Sequence, residues 1–436
     1  LHDIKDSVNF MSVPKVDRCT TCHLGIANPD YKDAPQPFTT HPSLEQFIGR
    51  DSPHPMEEFG GTVCHGGRGR GTDFSSAVHT PATPEQTKEW KDKYDWREFH
   101  HWEKPMLPMQ YIESSCIKCH SGETVIRGAK KLNLGLTIIE KAGCYSCHAI
   151  EKYKGWPKPG PSLTKLPSKV SKDWAYRWIQ DPKSFRHNTW MPAFFNQSNS
   201  SDPESKRRTD QEIHAVLHYL FQNSEAYDKD QIPTGGDVKR GEELVASVGC
   251  LGCHQIKPEK SQDPITLDAL RKEHGPNFIG IGTKTSEKWL YNWLKNPEAY
   301  HPKTKMPDLR LTDQEAADIS SYLSTLKNDA FNQTPVSRID EQVIDEIVLG
   351  FLAKAKTQQQ AKSELMTLSL DEKLNFAGKK LIRHYGCFSC HDILGFETDK
   401  PIGTELTEEG DKSVHKLDFG FIHIDHSNHA WFTQKL

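Results

Sequence analysis

"GLTIIEKAGCYSCHAI" at 135–150, "GEELVASVGCLGCHQI" at 241–256 and "GKKLIRHYGCFSCHDI" at 378–393 are one phrase written three times. Each reads glycine, seven residues, glycine, then Cys-x-x-Cys-His. The apolar residues inside the seven recur at helical spacing, which predicts a short amphipathic helix delivering a cysteine pair. Downstream of the first two copies the likeness continues with "GPSL" at 160–163 and "GPNF" at 275–278, then "DWAYRWIQDP" at 173–182 and "KWLYNWLKNP" at 288–297. Trp174 precedes Met191 by 17 residues, Trp289 precedes Met306 by 17, and both methionines precede proline. "TDQE" follows at 209–212 and 312–315, a pattern that predicts a capping box opening a closing helix.

Ten of the 11 cysteines fall in five Cys-x-x-Cys-His units: Cys19, Cys22 and His23; Cys116, Cys119 and His120; Cys144, Cys147 and His148; Cys250, Cys253 and His254; Cys387, Cys390 and His391. Random placement would yield roughly 0.01 such units in a chain of this composition, and the pattern is the signature of c-type haem attachment. Structural disulfides need no histidine behind each pair. Zinc sites pair two CxxC units without an abutting histidine. A redox CxxC normally occurs once, beside a βαβ pattern. Two thiols three positions apart can add to the two haem vinyl groups, leaving the next imidazole to bind the iron as proximal ligand. The motifs therefore predict five haems c.

The composition agrees. Only 35% of the 436 residues are hydrophobic, with 27 prolines and 22 histidines, thin for a fold held by aliphatic packing alone. Lysine plus arginine (55) nearly balances aspartate plus glutamate (59), so no nucleic-acid footprint is present. No stretch approaches the roughly 18 apolar residues of a membrane span. The chain starts at Leu1 and shows no signal peptide, which reads as a processed or trimmed N-terminus, with membrane contact through partners or a removed anchor. C-type haem is attached outside the energy-transducing membrane, so the expected compartment is the periplasm or its equivalent.

The two full repeats, over about 133–228 and 236–328, resemble class I cytochrome c. The resemblance implies small helical domains whose terminal helices cross, with His148/Met191 and His254/Met306 as axial pairs. It also implies that the Pro161 and Pro276 carbonyls accept hydrogen bonds from the proximal imidazoles. The third copy, 371–436, is incomplete: "HAWFTQKL" at 429–436 aligns with the Trp174 and Trp289 helices, and its methionine would fall beyond Leu436. Between the second and third copies, 329–370 reads as a helical linker with Ile339, Val343, Ile347 and Phe351 on one face, packing on a neighbouring domain or subunit.

Residues 1–132 have no class I pattern. They read as short helices and long loops, a multihaem module with His41, His54, His79, His100 and His101 as candidate distal ligands and Met56, Met106 and Met109 behind them. "FGGTVCHGG" at 59–67 matches the haem phrase except that glycine stands at 61 in place of the first cysteine. Cys64 for one vinyl group and His65 for the iron predict a sixth haem held by a single thioether. The expected fold is thus mainly α, a loop-rich N-terminal multihaem module followed by class I domains.

"VPKVDRCTTCHLGI", "HPSLEQFIGRDSPHPMEEFG" and "MLPMQYIESSCIKCHSG" together are similar to multihaem c-type cytochromes that accompany Rieske/cytochrome b quinol-oxidising complexes. That resemblance implies an electron-transfer subunit rather than a catalyst by itself, partnered by cytochrome b and Rieske-type membrane subunits and by a soluble or membrane-bound acceptor. The competing readings are a catalytic multihaem oxidoreductase for nitrogen-oxide or peroxide chemistry, which needs an iron with an open distal position, and an extracellular electron conduit.

Overall fold

The computed structural model describes all residues except 1–3, 9–10, 50, 100–103, 198–200, 228–234, 257–265, 273, 413 and 436. The chain divides into two compact units, one made of residues 1–136 with 407–436 and the other of 137–406. The architecture is mainly α, as expected.

In the first unit the chain opens with a hairpin, β1 (Lys5–Val8) against β2 (Met11–Pro14), antiparallel with Lys5 opposite Pro14 and Val8 opposite Met11. It continues through single turns and loops to α1 (Pro84–Tyr94), capped by Thr83 with proline at the first helical position. Among the described residues few large aliphatic side chains are buried here, namely Val78, Ile126 and Leu417. α2 (Lys130–Ala142), the first repeat helix, starts in this unit and ends in the second.

The second unit contains α3 (Lys172–Gln180), α4 (Pro203–Gln222), α5 (Val238–Ser247), α6 (Glu287–Lys295), α7 (Asp313–Thr325), α8 (Glu341–Leu352), α9 (Gln358–Leu365) and α10 (Leu370–Tyr385). Ser171 and Ser286 cap α3 and α6 through the Trp174 and Trp289 amides, so the two tryptophans enter in the same register. α7 begins with the expected capping box between Thr312 and Glu315. The sister sequence at 209–212 does not start a helix. Asp202 followed by Pro203 caps α4 earlier, and Thr209 lies inside the helix with its hydroxyl donating to the Ser205 carbonyl.

α5 and α7 cross at Gly241, where a Cβ would stand 2.0 Å from the Asp318 carbonyl oxygen and 2.8 Å from Tyr322 Cβ. This contact joins the first and last helices of the repeat at 236–328. α4 makes the equivalent crossing with α10, not with α2: a Cβ on Gly378 would lie 2.2 Å from the Ala215 oxygen and 2.8 Å from Tyr219 Cβ. A Cβ on Gly135 of α2 would meet nothing within 4 Å. The contiguous domains expected at 133–228 and 371–436 are therefore corrected. The helix before the third repeat motif packs with the closing helix of the first repeat, because Leu374, Ala377, Leu381 and Ile382 form one core with Ile213, Leu217 and Leu220. Each such side chain contributes about 1.5–3 kcal/mol when fully buried.

The 329–370 segment is helical and joins that same core. α8 buries Val343, Ile344, Ile347 and Val348, whereas Ile339 is 40% exposed, so the buried face is rotated from the one read in the sequence. Asp340 caps α8 and a Thr357–Gln360 capping box starts α9. α11 (Asn428–Lys435) is the short helix at 429–436; Trp431 Nε1 donates to the Asp418 carbonyl within the first unit.

Candidate haem sites

All five Cys-x-x-Cys-His units form the same single turn. The histidine amide donates to the carbonyl of the first cysteine at 2.9 Å in the units ending at His23, His120, His148 and His254, and at 3.1 Å for His391. The incomplete phrase makes the turn as well: the His65 amide donates to the Gly61 carbonyl at 2.9 Å. Gly143, Gly249 and Gly386 enter three of these turns at φ of 71°, 95° and 70°, values that require glycine. No disulfide joins any of the 11 cysteines.

In the domain at 236–328 the site is completed locally. His254 Nδ1 lies 2.7 Å from the Pro276 carbonyl, the Gly275 amide donates to Cys253, and the Phe278 amide donates to Gln255. The bond to the Pro276 carbonyl is the one the class I resemblance implies. The other two sites are completed crosswise. His391 Nδ1 sits 2.8 Å from the Pro161 carbonyl, while Gly160 donates to Cys390 and Leu163 to Asp392. His148 Nδ1 sits 2.8 Å from the Thr404 carbonyl, while Gly403 donates to Cys147 and Leu406 to Ala149. The three contacts match the local site bond for bond. A Cβ on Gly160, Gly275 or Gly403 would stand 2.5 Å from the facing imidazole, so each close approach requires glycine.

The expected attachment of Pro161 to His148 is thus corrected: its carbonyl faces His391. Phe194 and Phe195, just beyond Met191, pack on Tyr385 with ring centroids 5.8 and 5.0 Å apart, two residues before Cys387. Trp178, whose Nε1 lies 2.9 Å from the Met191 sulfur, shares one core with Phe388 of the third motif. The reason is symmetry: Gly160 follows His148 by 12 residues and Gly403 follows His391 by 12, so either connector can serve either motif. The two motifs lie side by side. The Cys147 and Cys390 thiols hydrogen-bond, holding Cys147 down at about 6 and pushing Cys390 up.

Met191 and Met306 occupy matched positions, with Trp178 Nε1 and Trp293 Nε1 each 2.9 Å from the sulfur. Trp174 stacks on Trp178 and Trp289 on Trp293, with centroids 5.3 and 5.2 Å apart. The indole N–H groups of Trp174 and Trp289 are buried without a hydrogen-bond partner. Burial first of all lowers the affinity of His254 and His391 for a second proton, which leaves each ring neutral as a metal ligand must be.

The N-terminal histidines fall into pairs. Ring centroids are 6.3 Å apart for His23 and His79, 6.3 Å for His41 and His65, and 6.0 Å for His54 and His120. An iron bound by two imidazoles at about 2 Å each holds the centroids roughly 6 Å apart. Each pair joins one motif histidine to one of the candidate distal histidines. His100 and His101 lie outside the described residues. Outer hydrogen bonds orient several rings: His79 Nδ1 to the Phe74 carbonyl at 2.8 Å, and His120 Nδ1 to Glu123 at 2.6 Å. The Ser43 amide reaches His41 Nδ1 at 3.2 Å, a loose contact that iron ligation through Nε2 would give up. Burial, reinforced by His41 and His23, holds His65 down at about 4.

Asp17 ties the incomplete motif to the first. Its carboxylate accepts from the Thr62 amide and hydroxyl at 2.7 Å each and from the Cys19 amide at 3.1 Å. A Cβ on Gly61 would lie 3.3 Å from Cys19 Sγ, so the missing cysteine position faces the first motif's own sulfur. Met56 lies near that position and Met106 packs beside Gly67, while Met109 is 63% exposed.

The cytochrome c family matches residues 238–327. A cytochrome c of Tetrahymena pyriformis is 29% identical over 99 residues, covering 21% of this chain and 90% of that protein. No solved structure matches significantly. The chain therefore carries a class I cytochrome c domain, which implies haem c binding and haem-based electron transfer. The residues present fit the group: a neutral proximal imidazole, two cysteines on its turn, a methionine sulfur held by an indole N–H, and a second, orphaned indole N–H.

Proposed function

We propose that the chain is a multihaem electron-transfer subunit with six covalent haems, working on the periplasmic side of an energy-transducing membrane beside cytochrome b and Rieske-type quinol-oxidising partners. The observation that carries the haem count is the histidine pairing: three motif histidines, His65 among them, each face one partner imidazole at the separation an iron demands. The axial sets are His23/His79, His65/His41, His120/His54, His391/Met191 and His254/Met306, with His148 proximal at the remaining site.

Haem c supplies reversible one-electron chemistry; the chain sets where each site lies in potential. Methionine ligation raises potential relative to a second imidazole, so the N-terminal sites sit below the two methionine sites. The local and crosswise carbonyls fix each proximal ring and raise its basicity. Partner and compartment rest on the N-terminal phrases similar to quinol-complex cytochromes. Five of the six sites take two axial ligands from this chain, which favours transfer over catalysis.

Haem counting by pyridine haemochrome should give six per chain, and mass spectrometry should find one haem on the 59–68 peptide through Cys64. Five haems with a free Cys64 thiol would remove the sixth site. A reductive titration should reduce the methionine-ligated sites first, and the protein should copurify with Rieske and cytochrome b subunits. Polymerisation alone would favour the conduit.

A further inference from the structure

Lys169 and Lys284 end matched short helices, Leu166–Lys169 and Ile281–Lys284, each eight residues beyond the carbonyl-donating Pro161 or Pro276. Neither ammonium group turns to its own tryptophan pair. Lys169 Nζ lies 4.4 Å from the Trp289 ring centroid, 5.6 Å from Trp293 and 5.5 Å from Tyr300. Lys284 Nζ lies 5.0 Å from Trp174 and 5.8 Å from Trp178. Arg186 sits between them, over Trp178 at 6.0 Å and donating to the Asn277 carbonyl at 3.2 Å. The exchange is reciprocal: each lysine crosses to the tryptophans of the other methionine site.

Among the described residues no carboxylate pairs with any of the three cations. Around them the indole N–H groups of Trp174 and Trp289, Arg186 Nε, Asn277 Oδ1 and Thr285 Oγ1 are buried without partners. Three cations and three orphaned donors facing one region are costly unless anions enter it. Burial, and after it the neighbouring cations, presses Lys169 down to about 8 and Lys284 well below its ordinary value, a sign of uncompensated positive charge. A haem held in each site would bring two propionate carboxylates, acceptors for the unpartnered N–H groups of Trp174 and Trp289.

We propose that Lys169, Arg186 and Lys284 form one cationic floor shared by the propionates of two haems, with each lysine serving the haem of the opposite site. Lys284 serves the haem ligated by His391 and Met191, and Lys169 the haem ligated by His254 and Met306. This rests on the axial sets proposed above. A cation beside the propionates favours the reduced iron, so its removal lowers the potential of the haem it serves.

The test uses the haem-loaded full chain with one methionine site silenced, so that the sulfur–iron charge-transfer band reports the other. In a Met306→Ala background the band follows the Met191 site. There Lys284→Met should lower the midpoint, Lys169→Met should move it much less, and Lys284→Arg should restore it. In a Met191→Ala background the roles should reverse. A larger shift from each site's own lysine, or no shift from either, overturns the proposal. Haem content of each variant, counted by pyridine haemochrome, separates a lost haem from a shifted one. Absence of the band from the parent protein would instead overturn the methionine ligation itself.

Discussion

Replacing Gly160 by alanine isolates the crosswise completion. The new Cβ would stand 2.5 Å from His391 Cε1 and 2.6 Å from Nδ1, where ordinary contact begins near 3.5 Å. Gly160 cannot retreat freely, because its amide is bonded to Cys390, so the imidazole must give way by roughly 1 Å. That displacement breaks the 2.8 Å bond from Nδ1 to the Pro161 carbonyl. A hydrogen bond of this kind is worth about 0.5–1.5 kcal/mol net, equivalent to roughly 20–65 mV for a one-electron couple. Losing it makes the imidazole less basic and moves the potential upward. Spectroelectrochemistry on the charge-transfer band of the Met191 site measures the shift. The decisive background is Cys144→Ala with Cys147→Ala, which removes the neighbouring haem. There the band and the upward shift should both persist. If that background abolishes the Met191 band, or if Gly160→Ala shifts only the haem on Cys144 and Cys147, the crosswise assignment is wrong.

Gly378→Ala should destabilise the fold by about 1–3 kcal/mol, less about 1 kcal/mol of helix propensity, while Gly135→Ala should stabilise it by up to about 1 kcal/mol; denaturant melts compare the two. Asp17 is partly buried, which opposes its ionisation, but the Thr62 and Cys19 hydrogen bonds outweigh this and hold its pKa below 3.8. Its stabilisation is therefore complete above that value and lost as pH falls through the lower folded pKa; Asp17→Asn should cost about 1–3 kcal/mol at neutral pH and flatten the acid limb of a thermal-melt series. His41→Ala, His54→Ala and His79→Ala should each convert one low-spin haem to a high-spin form, seen by electron paramagnetic resonance. A variant that leaves all haems low-spin would exclude that histidine as a ligand.

The local chemistry of the sites was legible in the sequence because haem attachment is a matter of adjacent residues. The turn, the helix before it and the tryptophan-to-methionine register all follow from spacing, and α5 meets α7 within one repeat. The crosswise sites were not legible. Their two connectors have the same length and the same glycine, so sequence spacing is indifferent between local and exchanged pairing. Only the fit of Gly378 to Ala215, a contact between distant helices, breaks the tie. The histidine pairs were likewise hidden, since loops without periodicity carry no signal of which ring meets which. Position 209 misled for a different reason: a capping pattern is a start signal only where no stronger cap precedes it, and Asp202–Pro203 does.

The exchanged connectors also set an order in which the sites can close as the chain is made. The His254 site is finished by a carbonyl 22 residues away, so it can close soon after its motif appears. The His148 site waits for a carbonyl 256 residues downstream, and the His391 site reaches back 230. Loop closure over such distances is slow, and a domain that folds as it is delivered has no second half to offer. Cys144 and Cys147 therefore stay on an open, unfinished segment until residues 403–406 have been made. The segment 387–406, made after the segments it meets, acts as the clasp that closes both crosswise sites.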